Sequence, residues 1–126
     1  MATTHLTTSE FLEKVSNYEN TKHWHYLGDK PCVIDFYTSW CRPCKTIAPI
    51  LEDLSLEYGE YLHVYKINTD EEPELAAAFG VTCLPTLLFC PMEDAPHITH
   101  GSMTKEKLIE QIDTVLLLSE QYADLY

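Results

Sequence analysis

Cys32-Val33-Ile34-Asp35-Phe36-Tyr37-Thr38-Ser39-Trp40-Cys41-Arg42-Pro43-Cys44-Lys45 is the stretch whose reading decides the fold. Its first six residues, Cys32 to Tyr37, are almost wholly apolar and rich in strand formers, as in a central strand buried on both faces. From Cys41 to about Tyr58 the pattern changes. Ile47, Ile50, Leu51, Leu54 and Tyr58 recur at helical spacing. Two cysteines, two residues apart, thus fall where a strand gives way to a helix. The first turn of a helix carries unpaired N–H groups and the positive end of the helix dipole, which stabilise a sulfur held there as thiolate. At i and i+3, Cys41 and Cys44 share one side of the turn, where their sulfurs can meet with little backbone movement. Pro43 suits that turn because its missing N–H costs nothing there. The chemistry implied is reversible dithiol–disulfide exchange.

A Cys-x-x-Cys pair is also half of many zinc sites. Zinc would need two further ligands at compatible spacing. Cys32, Cys83 and Cys90 are isolated, and no histidine pair has a ligand spacing. His23 and His25, two apart, diverge on a helix and read as packing or surface. Asp35 lies inside the apolar run, where a carboxylate is expensive unless paired and its pKa should rise. We expect a buried acid pointing beneath the helix that begins at Cys41, rather than a solvated one at an edge.

The 126 residues suit one domain, 1–126, with a core of about 6–118 and a frayed tail over 119–126. Twenty acidic against eight basic side chains give a formal charge of −12, which argues against nucleic acid and anionic membrane surfaces as partners. The only arginine is Arg42, between the two motif cysteines. An odd number of cysteines is not the pattern of a stapled secreted domain. No apolar run approaches a membrane span, and Met1-Ala2-Thr3-Thr4-His5 shows no signal peptide. A cytoplasmic location is expected, or an extracytoplasmic one such as the periplasm if a leader has been removed.

Elsewhere, Thr7 and Glu10 are spaced as a capping box opening a helix with Phe11, Leu12 and Val15 on its apolar face. The pattern decays from Ser16 to Lys30, which could continue as helix or pack as a loop. Pro49 should kink the central helix and Gly59 should stop it. Leu62 to Asn68 reads as a strand, and Glu71-Glu72-Pro73 begins a short helix that runs through Phe79 and is closed by Gly80. A strand headed by Pro85 runs to Cys90 and pairs as a hairpin with about Ile98 to Gly101. Thr104 caps a last helix whose face is Leu108, Ile112, Val115 and Leu116. The order describes an α/β sandwich around a mixed sheet. Cys32 and Cys90 are expected to be packed, inert strand residues.

At this point the sequence resembles the thioredoxin family. Val33 to Lys45 resembles the family's active-site segment, Ile47-Ala48-Pro49-Ile50-Leu51 its kinked helix, and Phe79-Gly80-Val81 with Leu84-Pro85-Thr86 its second signature. His5-Leu6-Thr7 and Gly101 also match, so the resemblance spans roughly Leu6 to Leu118. It implies a three-layer sandwich, a central mixed β-sheet flanked by helices on both faces. It implies that Cys41 is the attacking, exposed thiolate and Cys44 the buried resolving thiol. Asp35 would relay a proton to or from Cys44, with Lys66 modulating it. Trp40 would shield the site and line the substrate groove, Pro85 would be cis, and Thr82, Cys83 and Leu84 would offer backbone to a bound peptide. Arg42 stands where the family commonly has glycine, beside Pro43 at the mouth of the site. No organic or metal cofactor is implied beyond the redox-active Cys41–Cys44 pair.

The expected function is therefore reduction of protein disulfides. Disulfide-containing proteins would be the substrates, and a thioredoxin reductase or another dithiol the electron donor. The alternatives are an oxidant or isomerase in an oxidising compartment, and a redox-inactive binding module that keeps the fold. The protein is expected to be a monomer, with a Cys83-linked dimer forming on oxidation.

Overall fold

The computed structural model describes residues 3–116. The elements in chain order are β1 (Thr4–His5), α1 (Thr8–Lys14), β2 (Cys32–Tyr37), α2 (Arg42–Tyr58), β3 (His63–Asn68), α3 (Pro73–Ala78), β4 (Thr86–Cys90), β5 (His97–His100) and α4 (Lys105–Gln111). Helical turns of the wider π type continue α4 over Ile112–Leu116. The five strands form one sheet in the order β1-β3-β2-β4-β5. The pairings β1·β3 and β2·β3 are parallel, and β2·β4 and β4·β5 are antiparallel. This is the mixed sheet expected, with β2 at its centre.

The pleat of β2 sorts its side chains between two cores. Val33 joins Val64, Leu87 and Phe89 under α2 and α4, against Ile47, Leu51, Leu54, Tyr58 and Leu108. Cys32, Ile34 and Phe36 turn the other way, joining Tyr65, Ile67, Leu88 and Cys90 against Phe11 of α1 and Leu75 of α3. Both faces are covered, which is why this strand reads as a continuous apolar run rather than an alternating one. Asp35 belongs to the Val33 side and so lies beneath α2.

Local signals set most boundaries. Thr7 accepts from the Glu10 N–H at 3.2 Å while Glu10 accepts from the Thr7 N–H at 3.0 Å, closing the capping box of α1. Thr104 caps α4. Gly80, at φ 65°, ends the turn after α3 in a conformation that side chains avoid. α2 continues through Pro49 to the cap at Gly59. Its first residue is Arg42, with Cys41 as the cap rather than a helical residue. β1 has no counterpart among the sequence expectations. It exists because β3 has a free edge, which Thr4 and His5 fill opposite Tyr65 and Lys66. The segment 16–30 is built of turns, held by Leu27 N–H donating to Val15 O at 2.8 Å and by Tyr26, which is buried. Of the last helix's expected face, Leu108, Ile112 and Leu116 are buried and Val115 packs at the margin. The expected tail over 119–126 and the last two core residues, 117–118, lie outside the described residues.

Candidate active site

The C-terminal ends of β2 and β3 share one edge of the sheet, since Tyr37 lies opposite Asn68. Beyond Tyr37 the chain passes through Thr38, Ser39 and Trp40 to the start of α2. Cys41 caps that helix in an extended conformation, φ −83° and ψ 115°, and its Sγ accepts the Cys44 N–H at 3.2 Å. Pro43 fills the first turn, and no acidic residue accompanies it. The two sulfurs are joined as a disulfide, with Cα atoms 5.3 Å apart. A thiolate at Cys41 after reduction inherits the N–H donor and the helix end, both of which favour negative charge on sulfur.

Cys41 is 6% exposed and Cys44 is 3% exposed. The expected contrast, an exposed Cys41 above a buried Cys44, is corrected here. The Cys41 sulfur is bonded to that of Cys44 and accepts the Cys44 N–H at the helix start. Arg42, Pro43 and Lys45 point outward and are exposed.

Asp35 is 3% exposed, and burial pushes its pKa up to about 7 although Lys66 pulls against the rise. Its Oδ1 has no protein partner, and neither does the buried hydroxyl of Thr38. Lys66 is Asp35's partner across the β2·β3 ladder. Asp35, Thr38, Cys44, Ala48 and Lys66 line one cavity of about 160 Å³ beneath the helix start. That volume is ample for water, and the polar atoms on its wall can hold it. A titratable acid near neutrality and the inner cysteine thus face the same space.

Trp40 is 69% exposed, yet its indole Nε1–H donates to Asp70 Oδ2 at 2.8 Å. The ring is therefore held in place over the site's rim. Sequence reasoning missed Asp70, because its role exists only through the parallel pairing that brings the turns after β2 and β3 together. The loop before β4 reaches the same edge of the sheet, since Thr86 pairs with Phe36. The Leu84–Pro85 peptide is cis. Thr86 Oγ1 donates to Cys83 O at 2.7 Å, and the Gly101 N–H donates to Pro85 O at 2.8 Å. Gly101 has φ 87°, so a residue without Cβ is what lets β5 brace the loop. Thr82 and Cys83 are exposed and Leu84 is half-buried, leaving this loop open to a partner. Cys83 is a free thiol. Among the described residues, no group of three or more His, Cys, Asp or Glu is arranged to hold a metal ion.

A family model described as thioredoxin matches residues 2–114. A thioredoxin of Borreliella burgdorferi is 43% identical over 101 residues, 80% of this chain and 86% of that protein. A thioredoxin M-type, chloroplastic, of Pisum sativum is 35% identical over 97 residues, 75% of this chain and 56% of that protein. Among solved structures, chloroplastic thioredoxin z superposes with a TM-score of 0.73, covering 90% of this chain and 94% of that one. At 22% identity that likeness speaks for the fold.

Proposed function

The chain belongs to the thioredoxin family and is a thiol–disulfide oxidoreductase that reduces protein disulfides, and from that premise we propose how its own residues divide the work. Cys41 attacks a substrate disulfide as thiolate. One substrate sulfur leaves with the electron pair of the broken S–S bond, and a mixed disulfide joins Cys41 to the other. Cys44 then loses its proton to Asp35 through water in the cavity and attacks the Cys41 sulfur. The Cys41–Cys44 disulfide closes, and the substrate departs as a dithiol. The shared cavity of Asp35 and Cys44 carries this reading, with Asp35 placed near neutrality where an acid or base is most useful. Lys66 keeps Asp35 from rising further.

Trp40, fixed by Asp70, and the braced loop Thr82-Cys83-Leu84-Pro85 form the walls between which an extended substrate strand lies. The exposure of Thr82 and Cys83 supports that role. Arg42 and Pro43 border the entrance. The family uses no cofactor beyond its disulfide, acts on disulfide-bearing proteins and draws electrons from a reductase. For this chain we infer a thioredoxin reductase or another dithiol as donor, a single domain working as a monomer, and a Cys83-linked dimer on oxidation. We infer a cytoplasmic location, since five cysteines, an odd number, are not the pattern of a stapled secreted domain. The Pisum sativum relative is named as chloroplastic, and no helix among the described residues is long and apolar enough to cross a membrane.

The test is reduction of insulin with dithiothreitol as electron source. Catalysed precipitation of the insulin chains is expected. No acceleration over dithiothreitol alone would point instead to a binding module that keeps the fold.

A further inference from the structure

Away from the active site, at the far end of β2, two free cysteines face each other. Cys32 and Cys90 are directly opposite in the antiparallel β2·β4 ladder, and both are fully buried. Opposite residues in such a ladder have Cα atoms about 4.5–5.5 Å apart, within the roughly 4.4–6.8 Å that disulfides span. Both side chains lie on the face covered by α1 and α3. The Cys90 thiol and the Tyr26 hydroxyl each meet the Cys32 thiol, and Tyr26 lies close to Cys90 as well. Tyr26 belongs to the turn-built segment between α1 and β2, where its hydroxyl donates to Lys30 O.

We propose that Cys32 and Cys90 are a second redox pair, closed to a cross-strand disulfide by hydrogen peroxide and covered in the resting protein by Tyr26. One thiolate attacks the peroxide oxygen, forming a sulfenic acid and releasing one water once protonated. The second thiol attacks the sulfenic sulfur, and the hydroxyl leaves as a second water. Two thiols are oxidised by two electrons, one peroxide is reduced, and one S–S bond forms. The pair is separated from the catalytic cysteines by the length of β2, about 20 Å at the rise of a strand. It therefore reports oxidant independently of catalytic turnover, and closure staples the central strand to its antiparallel neighbour.

Burial makes this pair slow. It holds the Cys90 thiol well above its ordinary pKa, with Cys32 adding to the rise, so thiolate is scarce while the cover is shut. Opening means local release of the 16–30 turns, which carry Tyr26, rather than unfolding of the sheet.

The experiment uses the full chain, reduced, freed of dithiothreitol and treated with hydrogen peroxide. Samples are blocked with N-ethylmaleimide in denaturant and mapped by mass spectrometry. Cys41–Cys44 should close first and a Cys32–Cys90 peptide should follow, disappearing on renewed reduction. Cys32 and Cys90 both alkylated after Cys41–Cys44 is complete and Cys83 is oxidised would overturn the proposal, as would linkage of either to Cys83. Tyr26→Ala should close the pair about tenfold faster or more, since truncating a buried aromatic opens its surroundings readily. Equal rates in the two proteins would remove Tyr26 as the cover. Should that variant fail to fold, the mapping of the unaltered protein still decides.

Discussion

The Asp35 carboxyl and the Cys44 sulfur line one cavity beneath the start of α2. Asp35 comes from the central strand and Cys44 from the helix above it, so neither can move without disturbing the core. An acid raised to about 7 beside the thiol proposed to resolve the mixed disulfide would tie stability and catalysis to the same proton.

Asp35→Asn should separate the two. Burial raises the folded-state pKa above the unfolded one, so the folded protein holds its proton more tightly. The resulting stability is present at low pH and is lost as pH rises through about 7. The substituted amide carries no charge to desolvate, so the variant should match the unaltered protein near pH 4 and exceed it by about 1–3 kcal/mol near pH 8. Disulfide exchange should slow by roughly a hundredfold or more, the range of one general base, and lose its inflection near neutral pH. Urea melts at both pH values and a pH–rate profile measure these effects. A variant less stable at pH 8 would make Asp35 a structural ion-pair partner.

Trp40 is mostly solvated but anchored, its indole donating to Asp70 at 2.8 Å. Asp70→Ala frees the ring without touching either cysteine. KM for a protein substrate should rise about threefold with kcat little changed, because the loss is one hydrogen bond to a charged group. Trp40 fluorescence should become more easily quenched by iodide. Unchanged KM and unchanged quenching would leave Trp40 fixed by something else.

Arg42 is exposed beside Cys41 at the helix start. A cation there favours thiolate and hence the reduced form. Arg42→Gly should shift the appearance of Cys41 thiolate absorbance to higher pH and slow exchange near neutrality by about threefold at low salt. The difference should shrink in strong salt as screening grows. Identical titrations in the two proteins would restrict Arg42 to partner choice.

Cys83 is free and exposed, on the loop whose carbonyl receives the Thr86 hydroxyl. Oxidation of the concentrated protein should give a dimer that dithiothreitol dissolves and that has lost insulin-reducing activity, because the linkage sits on the loop proposed to hold substrate. Cys83→Ser should abolish the dimer band on non-reducing gels. An undiminished band would assign the linkage elsewhere.

The sequence made the strand–helix junction legible because its signals are local. The Cys32–Tyr37 run, the helical spacing from Ile47 to Tyr58 and the Thr7–Glu10 box each refer to neighbours in the chain. Asp35's burial was readable for the same reason, since an acid inside an apolar strand has few places to go. What stayed hidden depends on pairing. Thr4 and His5 are exposed and form a strand only against the free edge of β3. Asp70 holds Trp40 only because two parallel strands end side by side. The low exposure of Cys41 depends on the packing around the helix start, which spacing does not encode. The meeting of Cys32 and Cys90 required the register of β2 on β4.

The division of labour between the two cysteines is tested most directly by trapping. Reduced Cys44→Ser and Cys41→Ser proteins are mixed with a disulfide-bearing protein, quenched with acid and mapped by mass spectrometry. Cys44→Ser should accumulate a mixed disulfide through Cys41, because attack proceeds and resolution cannot. Cys41→Ser should accumulate little or none, and neither variant should turn over. A stable adduct through Cys44 in Cys41→Ser, or unimpaired turnover by either protein, would contradict the account.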